Sequence, residues 1–247
     1  MLGFLRRLRR SLIEEGHLKK YFVYALGEIL LVVLGILIAL QINNWNEERK
    51  SDREALELLL ALKSNTNAII QDLQRVSERE RDVLGSIDIV IDNLSNTKIY
   101  NDTLEYHFIY MSYLSEVTWK TGAYETLKSK GLDLISNDSL REKIVDLYET
   151  HHQRILVNAQ DASGYLEINF YPLFSKHFRV VAYDDSNAED EVRAFPTDYA
   201  ALVQSNEYVN MLSVWRLIRG YNFRVQVAVI EQLRSLNEMI SMEIDNL

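Results

Sequence analysis

The first strong pattern along the chain is an apolar stretch from Tyr21 to Ile42, YFVYALGEILLVVLGILIALQI. It contains one charged residue, Glu28, and one further strongly polar residue, Gln41. About 20 helical residues cross the hydrocarbon core of a bilayer, and a soluble helix of this length would show a polar stripe. The pattern therefore predicts a transmembrane helix over residues 21–43.

The sequences on either side of this stretch predict its orientation. A signal peptide would have a shorter apolar stretch that ends in small residues, whereas this one runs into the sequence QINNW. Basic side chains favour the cytoplasmic side and aromatic ones the two interfaces, so we expect a bacterial inner-membrane protein with a cytoplasmic N-terminus and a periplasmic main domain. The basic membrane-surface residues are Arg6, Arg7, Arg9, Arg10, Lys19 and Lys20, and the interface anchors are Tyr21, Tyr24 and Trp45.

Glu28 needs a physical reason, because a carboxylate within hydrocarbon is costly and usually faces a protein or water. At about 100° per residue, Val32, Gly35 and Ala39 lie on the same face of the helix as Glu28. Small residues let helices approach closely, and polar ones bond across the contact. We call these four residues the Glu28 face and predict that it contacts a second copy or a membrane partner. A protonated carboxyl without a further role and an ion-carrying site stay open as alternatives.

A second pattern repeats from Ala55 to Leu94 with alternating steps of four and three residues. Its positions are apolar except Thr66 and Glu80. Such a seam is typical of a long helix that packs on other helices. A coiled coil between chains is one interpretation, but the apolar faces of later segments favour packing within the chain.

The remaining segments predict further helices over residues 102–115, 138–175 and 206–246. Gly131 follows two lysines and predicts the end of an additional helix. Residues 183–197 are predicted to form an acidic loop.

These elements predict an all-α fold, in which a single transmembrane helix is followed by an elongated antiparallel helical bundle. Residues 1–20 form a short basic cytoplasmic segment that is either amphipathic or unstructured. Residues 21–43 form the membrane span, and residues 44–247 form the extracytoplasmic bundle.

Charge and cysteine content exclude several classes of function. The net charge is −9, although residues 1–20 carry six Lys or Arg and two Glu. The large domain is therefore acidic, whereas a nucleic-acid binder needs a basic face. The chain has no cysteine, which excludes disulfides, thiolate chemistry and cysteine metal sites.

We find no arrangement that predicts catalysis, a cofactor or a metal. Glu149 and His152 have the spacing of one di-iron ligand pair, but a second pair is absent from the sequence. The acidic loop lacks the glycine and glutamate that an EF-hand requires at fixed positions. The sequence also contains no nucleophile elbow and no phosphate-binding glycine loop. We therefore expect a protein that is not an enzyme.

Residues 27–49, GEILLVVLGILIALQINNWNEER, resemble the N-terminal signature of a family of uncharacterised single-span bacterial membrane proteins. Glu28, Gly35 and the run from Asn43 to Asn46 stand where that signature has them. The stretch AYETLKSKG, residues 123–131, resembles the middle of the same family. The resemblance implies the single-span topology and carries no activity.

Three functions are compatible with these observations. The leading hypothesis is a membrane-anchored, non-catalytic interaction or sensory module that acts through oligomerisation or a membrane partner. The second is an accessory subunit of an ion-coupled membrane complex, with Glu28 as the protonatable site. The third is a structural tether, in which the seam from Ala55 forms a coiled coil between chains.

Overall fold

The computed structural model describes residues 18–182 and 192–246. The chain divides after Ala55 into two compact units. The division falls within the first helix, α1, which runs over Leu18–Asp92.

The first unit contains the apolar stretch that begins at Tyr21, and residues 21–43 are helical throughout. Among the described residues, α1 is the helix that is long and apolar enough to cross a membrane. None of its most apolar 18-residue window is buried. These apolar side chains are therefore not the core of a soluble domain formed by the described chain.

The second unit is almost entirely helical, as the sequence predicts, and it carries one short β-hairpin. The final helix, α8, confirms the predicted helix over 206–246. The helices that follow α1 are α2 (Leu104–Tyr110), α3 (Gly122–Lys130), α4 (Asp138–Asp146), α5 (His152–Tyr165), α6 (Tyr171–His177), α7 (Tyr199–Gln204) and α8 (Asn206–Asn246).

The seam on α1 forms the core of the second unit. Every seam position from Leu59 to Leu94 is at most 2% exposed, and all of them except Thr66, Val76 and Glu80 pack in clusters with apolar residues of the same chain. Polar pairs between α1 and α8 show that the two helices run antiparallel. From one end to the other, the pairs are Thr66 with Asn237, Ser77 with Gln226, and Asp88 with Arg216.

The predicted helix over 138–175 is present as α4, α5 and α6, joined by two five-residue π-helical turns at Leu147–His151 and Leu166–Phe170. The Asn137 side chain caps α4 by accepting a hydrogen bond from Leu140 N. Gly131 ends α3 at φ 110°, which a residue with a Cβ adopts only under strain. The helix predicted over 102–115 is shorter, because the chain leaves the helix after Tyr110.

The prediction of an acidic loop over residues 183–197 is wrong at its C-terminal end. Residues Val192–Pro196 form strand β2, which pairs antiparallel with β1, Phe178–Ala182. The hairpin packs against α2, and the ring centres of Phe178 and Phe108 lie 4.7 Å apart. Two five-residue strands give too short an alternation to stand out beside an acidic run. The candidate calcium residues 184–191 lie outside the described residues.

Candidate functional site

The Glu28 face lies in the first unit and is largely open. Val32 is 59% exposed, and Gly35 and Ala39 are also exposed, whereas Glu28 is half-buried. A Cβ built on Gly35 would meet no atom within 4 Å. The described part of the chain therefore leaves the small-residue end of this face uncovered.

The expected interface residues are only partly described. Trp45 is 59% exposed, and the Arg49 guanidinium lies 5.4 Å from the centre of its ring. An exposed aromatic side chain with a basic neighbour suits a membrane interface. Arg6, Arg7, Arg9 and Arg10 lie outside the described residues, as do the side chains of Lys19, Lys20, Tyr21 and Tyr24.

The second unit contains a feature that the sequence did not predict, a polar layer between two hydrophobic clusters. On α1 the first cluster ends at Leu73 and the second begins at Val83, with Ser77 and Glu80 buried between them. α5 and α8 also pass from one hydrophobic cluster to the other, with polar residues between the two. The polar layer consists of Ser77 and Glu80 from α1, Asn158 from α5, and Arg219, Asn222 and Gln226 from α8.

An ion pair between Glu80 and Arg219 is the centre of this layer. Arg219 Nε lies 2.7 Å from Glu80 Oε1, and the two side chains are only 2% and 3% exposed. The guanidinium also lies 5.1 Å from the centre of the Trp215 ring. Burial of two charges is costly unless they pair with good geometry. The two charges neutralise each other, but the Arg219 Nε–H is not directed at Glu80 Oε1, so these two atoms form no hydrogen bond.

Amide side chains surround the ion pair. Asn222 Nδ2 donates to the backbone carbonyl oxygen of Asn158 at 3.4 Å, which links α8 to α5. Ser77 Oγ donates to Gln226 Oε1 at 3.2 Å, which links α1 to α8. The layer thus spans all three long helical elements of the unit.

An irregular segment, residues 113–121, closes one side of the layer, and we call it the strap. Arg219 Nη2 donates to the Tyr113 carbonyl oxygen at 3.0 Å, and the Thr118 backbone N–H donates to Asp72 Oδ2 at 2.6 Å. Just before the strap, Trp215 Nε1 donates to the Met111 carbonyl oxygen at 2.8 Å. The strap is therefore fixed by hydrogen bonds to both α1 and α8.

A cavity of about 370 Å³ lies between the strap and the three helices. This volume falls within the range of small-molecule sites. Ser115 Oγ and Asn158 Nδ2 line it and are buried without a hydrogen-bond partner among the described residues. Such groups cost stability when they stay unpaired. The apolar part of the wall consists of Leu114, Val117, Ile155, Leu156, Ala159 and Ala162.

The electrostatics of the cavity depend on burial. Burial raises the pKa of Glu80 to about 7, although the positive charge of Arg219 opposes that rise. Burial likewise lowers the pKa of Arg219, against the effect of Glu80. At the strap, burial tends to raise the pKa of Asp72, but the Thr118 N–H and Arg75 outweigh it and leave that pKa lowered. Burial therefore favours the neutral form of Glu80, whereas the Thr118 N–H and Arg75 favour the ionised form of Asp72.

His152, which was considered as a metal ligand from the sequence, and its neighbour His151 lie outside the cavity wall. His152 stacks on Trp119 with ring centres 4.8 Å apart, and His151 Nε2 lies 3.2 Å from Asp146. Glu149 accepts hydrogen bonds from Tyr124 and Lys128. Residues 18–182 and 192–246 contain no group of three or more side chains placed to hold a metal ion.

Part of this site had a signal in the sequence. Glu80 is one of the two polar exceptions in the seam of α1, and Asn222 falls in a gap between apolar positions on α8. Each marks the level of the polar layer on its own helix. Arg219 had no such signal, since a lone arginine on a long helix is ordinarily solvent-exposed.

The chain belongs to DUF6090, a family of unknown function, whose model matches residues 28–169. The matched range begins at Glu28 and includes the Glu28 face, Glu80, the strap and α5. Arg219 and the rest of α8 follow it. No curated protein and no solved structure matches the chain.

Proposed function

We propose that this protein is a membrane-anchored, non-catalytic sensory module that binds a small molecule in the cavity of its helical domain. It acts through contacts of its apolar helix with a second copy or a membrane partner. The observation that carries this proposal is the cavity, where a buried ion pair and two unpartnered polar groups meet a space of about 370 Å³.

The apolar helix supports membrane anchoring. Its large aliphatic side chains from Leu26 to Ile42 are about half exposed or more, and exposed apolar surfaces of this kind mark membrane or protein contacts. A bilayer would cover them at little cost. The basic residues that precede the helix favour a cytoplasmic N-terminus and a periplasmic helical domain.

The lining of the cavity supports binding over catalysis. It includes Ser115 and Ser163 but no histidine, lysine or cysteine. A serine nucleophile needs an adjacent base and an orienting group. The carboxylate nearest the centre, Glu80, is already paired with Arg219. The groups present are suited to holding a ligand.

Cysteine cross-linking in native membranes tests the contact of the apolar helix, because the chain has no natural cysteine. Ala39 lies on the Glu28 face, and Leu37 lies on the opposite side of the helix at about 100° per residue. We expect oxidation to give a disulfide-linked dimer of Ala39→Cys, or a covalent product with a partner protein, and little product from Leu37→Cys. Equal yields from both variants would contradict a defined contact face.

A second comparison tests whether the cavity influences that contact. Ala159 is an exposed residue of the cavity wall, and Ala159→Trp is designed to place a large side chain in that space; Ala201→Trp is a matched control on the exposed surface of α7. In the Ala39→Cys background, we expect Ala159→Trp to change the cross-linking yield at least about twofold and Ala201→Trp to leave it unchanged. A sensory role is wrong if the two tryptophan variants behave alike.

A further inference from the structure

The residues of the cavity wall carry buried hydrogen-bond donors beside apolar side chains. Asn158 Nδ2 and Ser115 Oγ are buried in the wall without partners among the described residues. Arg219 of α8, which is 2% exposed, belongs to the same wall. A ligand that satisfies these groups needs acceptor oxygens at one end and an apolar body at the other.

A carboxylate is the ligand group that matches a guanidinium best, because its two oxygens accept parallel hydrogen bonds from the planar fork. Its oxygens would also accept from Asn158 Nδ2 and Ser115 Oγ. The aliphatic wall residues, such as Ile155 and Leu156, would contact the remainder of the molecule.

The charges around the cavity limit how such an anion can enter. Charged side chains line it from three elements, Glu80 on α1, Arg219 on α8 and Glu116 in the exposed part of the strap, and the wall from α5 carries none. Glu80 Oε1 lies 2.7 Å from Arg219 Nε. Two carboxylates beside one guanidinium would leave a buried net negative charge, so one of them must gain a proton.

We propose that the cavity binds a small monocarboxylate with an apolar body, and that Glu80 takes up one proton as the ligand carboxylate pairs with Arg219. This inference rests on the proposed binding role of the cavity and names its ligand class. The charges balance, since the anion and the proton enter together and the ion pair of the empty site becomes a ligand–Arg219 pair beside a neutral Glu80.

The pH dependence of binding follows from this exchange. In the empty site burial raises the pKa of Glu80 to about 7. Above that pH the proton must come from solution, so affinity falls about tenfold per pH unit. Well below it Glu80 already holds the proton, and affinity becomes independent of pH.

Titration calorimetry on the purified full-length chain in detergent tests the proposal, with butyrate and benzoate as probes and butyramide and benzamide as their neutral counterparts. We expect the carboxylates to bind and the amides not to bind. Buffers with different ionisation enthalpies should report uptake of about one proton at pH 8 and almost none at pH 6, where the probe carboxylates are still ionised.

Three variants identify the groups involved. Arg219→Met should abolish binding. Arg216 lies one helical turn before Arg219 and pairs with the exposed Asp88, so Arg216→Met should bind like the natural protein. Glu80→Gln should bind without proton uptake and without pH dependence. If Arg219→Met does not fold, Ala159→Trp should block binding while the ion pair stays intact.

Two results would overturn the proposal. One is the absence of binding heat for both carboxylates at pH 6, on protein that circular dichroism shows to be folded. The proposal fails in this way even if zwitterionic amino acids bind. The other is proton uptake that persists in Glu80→Gln. If the carboxylates fail while Ala159→Trp still alters Ala39→Cys cross-linking, the ligand class is wrong and the sensory role stands. If the carboxylates bind but Ala159→Trp does not alter Ala39→Cys cross-linking, the ligand class stands and the sensory role is wrong.

Discussion

Two levels of the helical domain are built from the same helices and differ in what they bury. In the first hydrophobic cluster, Leu62, Ile69 and Leu73 of α1 are completely buried among apolar side chains. A few turns further along, the same seam buries Glu80 against Arg219, beside a cavity. Apolar packing supplies stability, whereas a buried ion pair supplies little of it. The contrast supports the proposal that the polar layer serves ligand binding.

The largest expected effect comes from breaking the ion pair on one side. Arg219→Met leaves the Glu80 carboxylate buried and unpaired, which costs about 3–5 kcal/mol in the free energy of unfolding. The cost should be largest at pH 8 and smaller at pH 5, where Glu80 can take up a proton. Urea unfolding of the full-length chain in detergent, followed by circular dichroism, measures both values.

The double variant Glu80→Leu/Arg219→Met is the control for that measurement. Removal of both charges should recover most of the lost stability, because an apolar replacement of a buried pair is often neutral or stabilising. A double variant as unstable as Arg219→Met alone would show that the pair is a principal source of stability, contrary to the comparison above.

The same test applied to the hydrophobic level should give a different signature. Leu73→Ala creates a cavity in the first cluster and should cost about 3 kcal/mol. That loss should be the same at pH 5 and pH 8, since Leu73 packs among the apolar side chains of the first cluster. A pH-dependent loss would mean that the two levels are not energetically distinct.

The pH dependence of stability should also distinguish the polar layer from the hydrophobic cluster, by a smaller free energy. Folded Glu80 keeps its proton up to about pH 7, whereas the unfolded side chain releases it near its ordinary pKa of 4.5. The folded state therefore binds more protons between these values, so the unfolding free energy falls as pH rises from 4.5 to 7 and levels off above. The fall should be no more than about 3 kcal/mol.

Glu80→Gln isolates this contribution. The difference between the unfolding free energies of the natural protein and the variant, measured at pH 5, 6, 7 and 8, should change over that window and then become constant. A difference that does not vary with pH would show that Glu80 has the same pKa in the folded and unfolded states.

The sequence predicted the hydrophobic level far better than the polar one. Apolar spacing located the seam and the extents of α8 and of the helix over 138–175, because burial of one helix face imposes the periodicity directly. Thr66 and Glu80 stood out only as exceptions to it. Their partners, Asn237 and Arg219, depend on the register between two helices far apart in sequence, which no local pattern records. The strap and the hairpin are short and irregular, so their positions depend on tertiary contacts.

Thr66 offers the last comparison, because it is a polar exception within the hydrophobic level. Its hydroxyl contacts Asn237 Oδ1 and the Leu62 carbonyl oxygen, the latter at 2.8 Å, and the residue is completely buried. Asn237 also donates from Nδ2 to Asn67 Oδ1 at 2.7 Å, so it keeps a partner if the hydroxyl is lost. Thr66→Val should therefore cost only about 1 kcal/mol, with no change between pH 5 and pH 8.

Thr126→Val is a matched control and should cost less. Thr126 is exposed, and its hydroxyl donates to the Gly122 carbonyl oxygen in its own helix. A loss from Thr66→Val as large as that from Arg219→Met would show that the Thr66–Asn237 contact, uncharged and without a cavity, belongs with the polar layer rather than with the core around it.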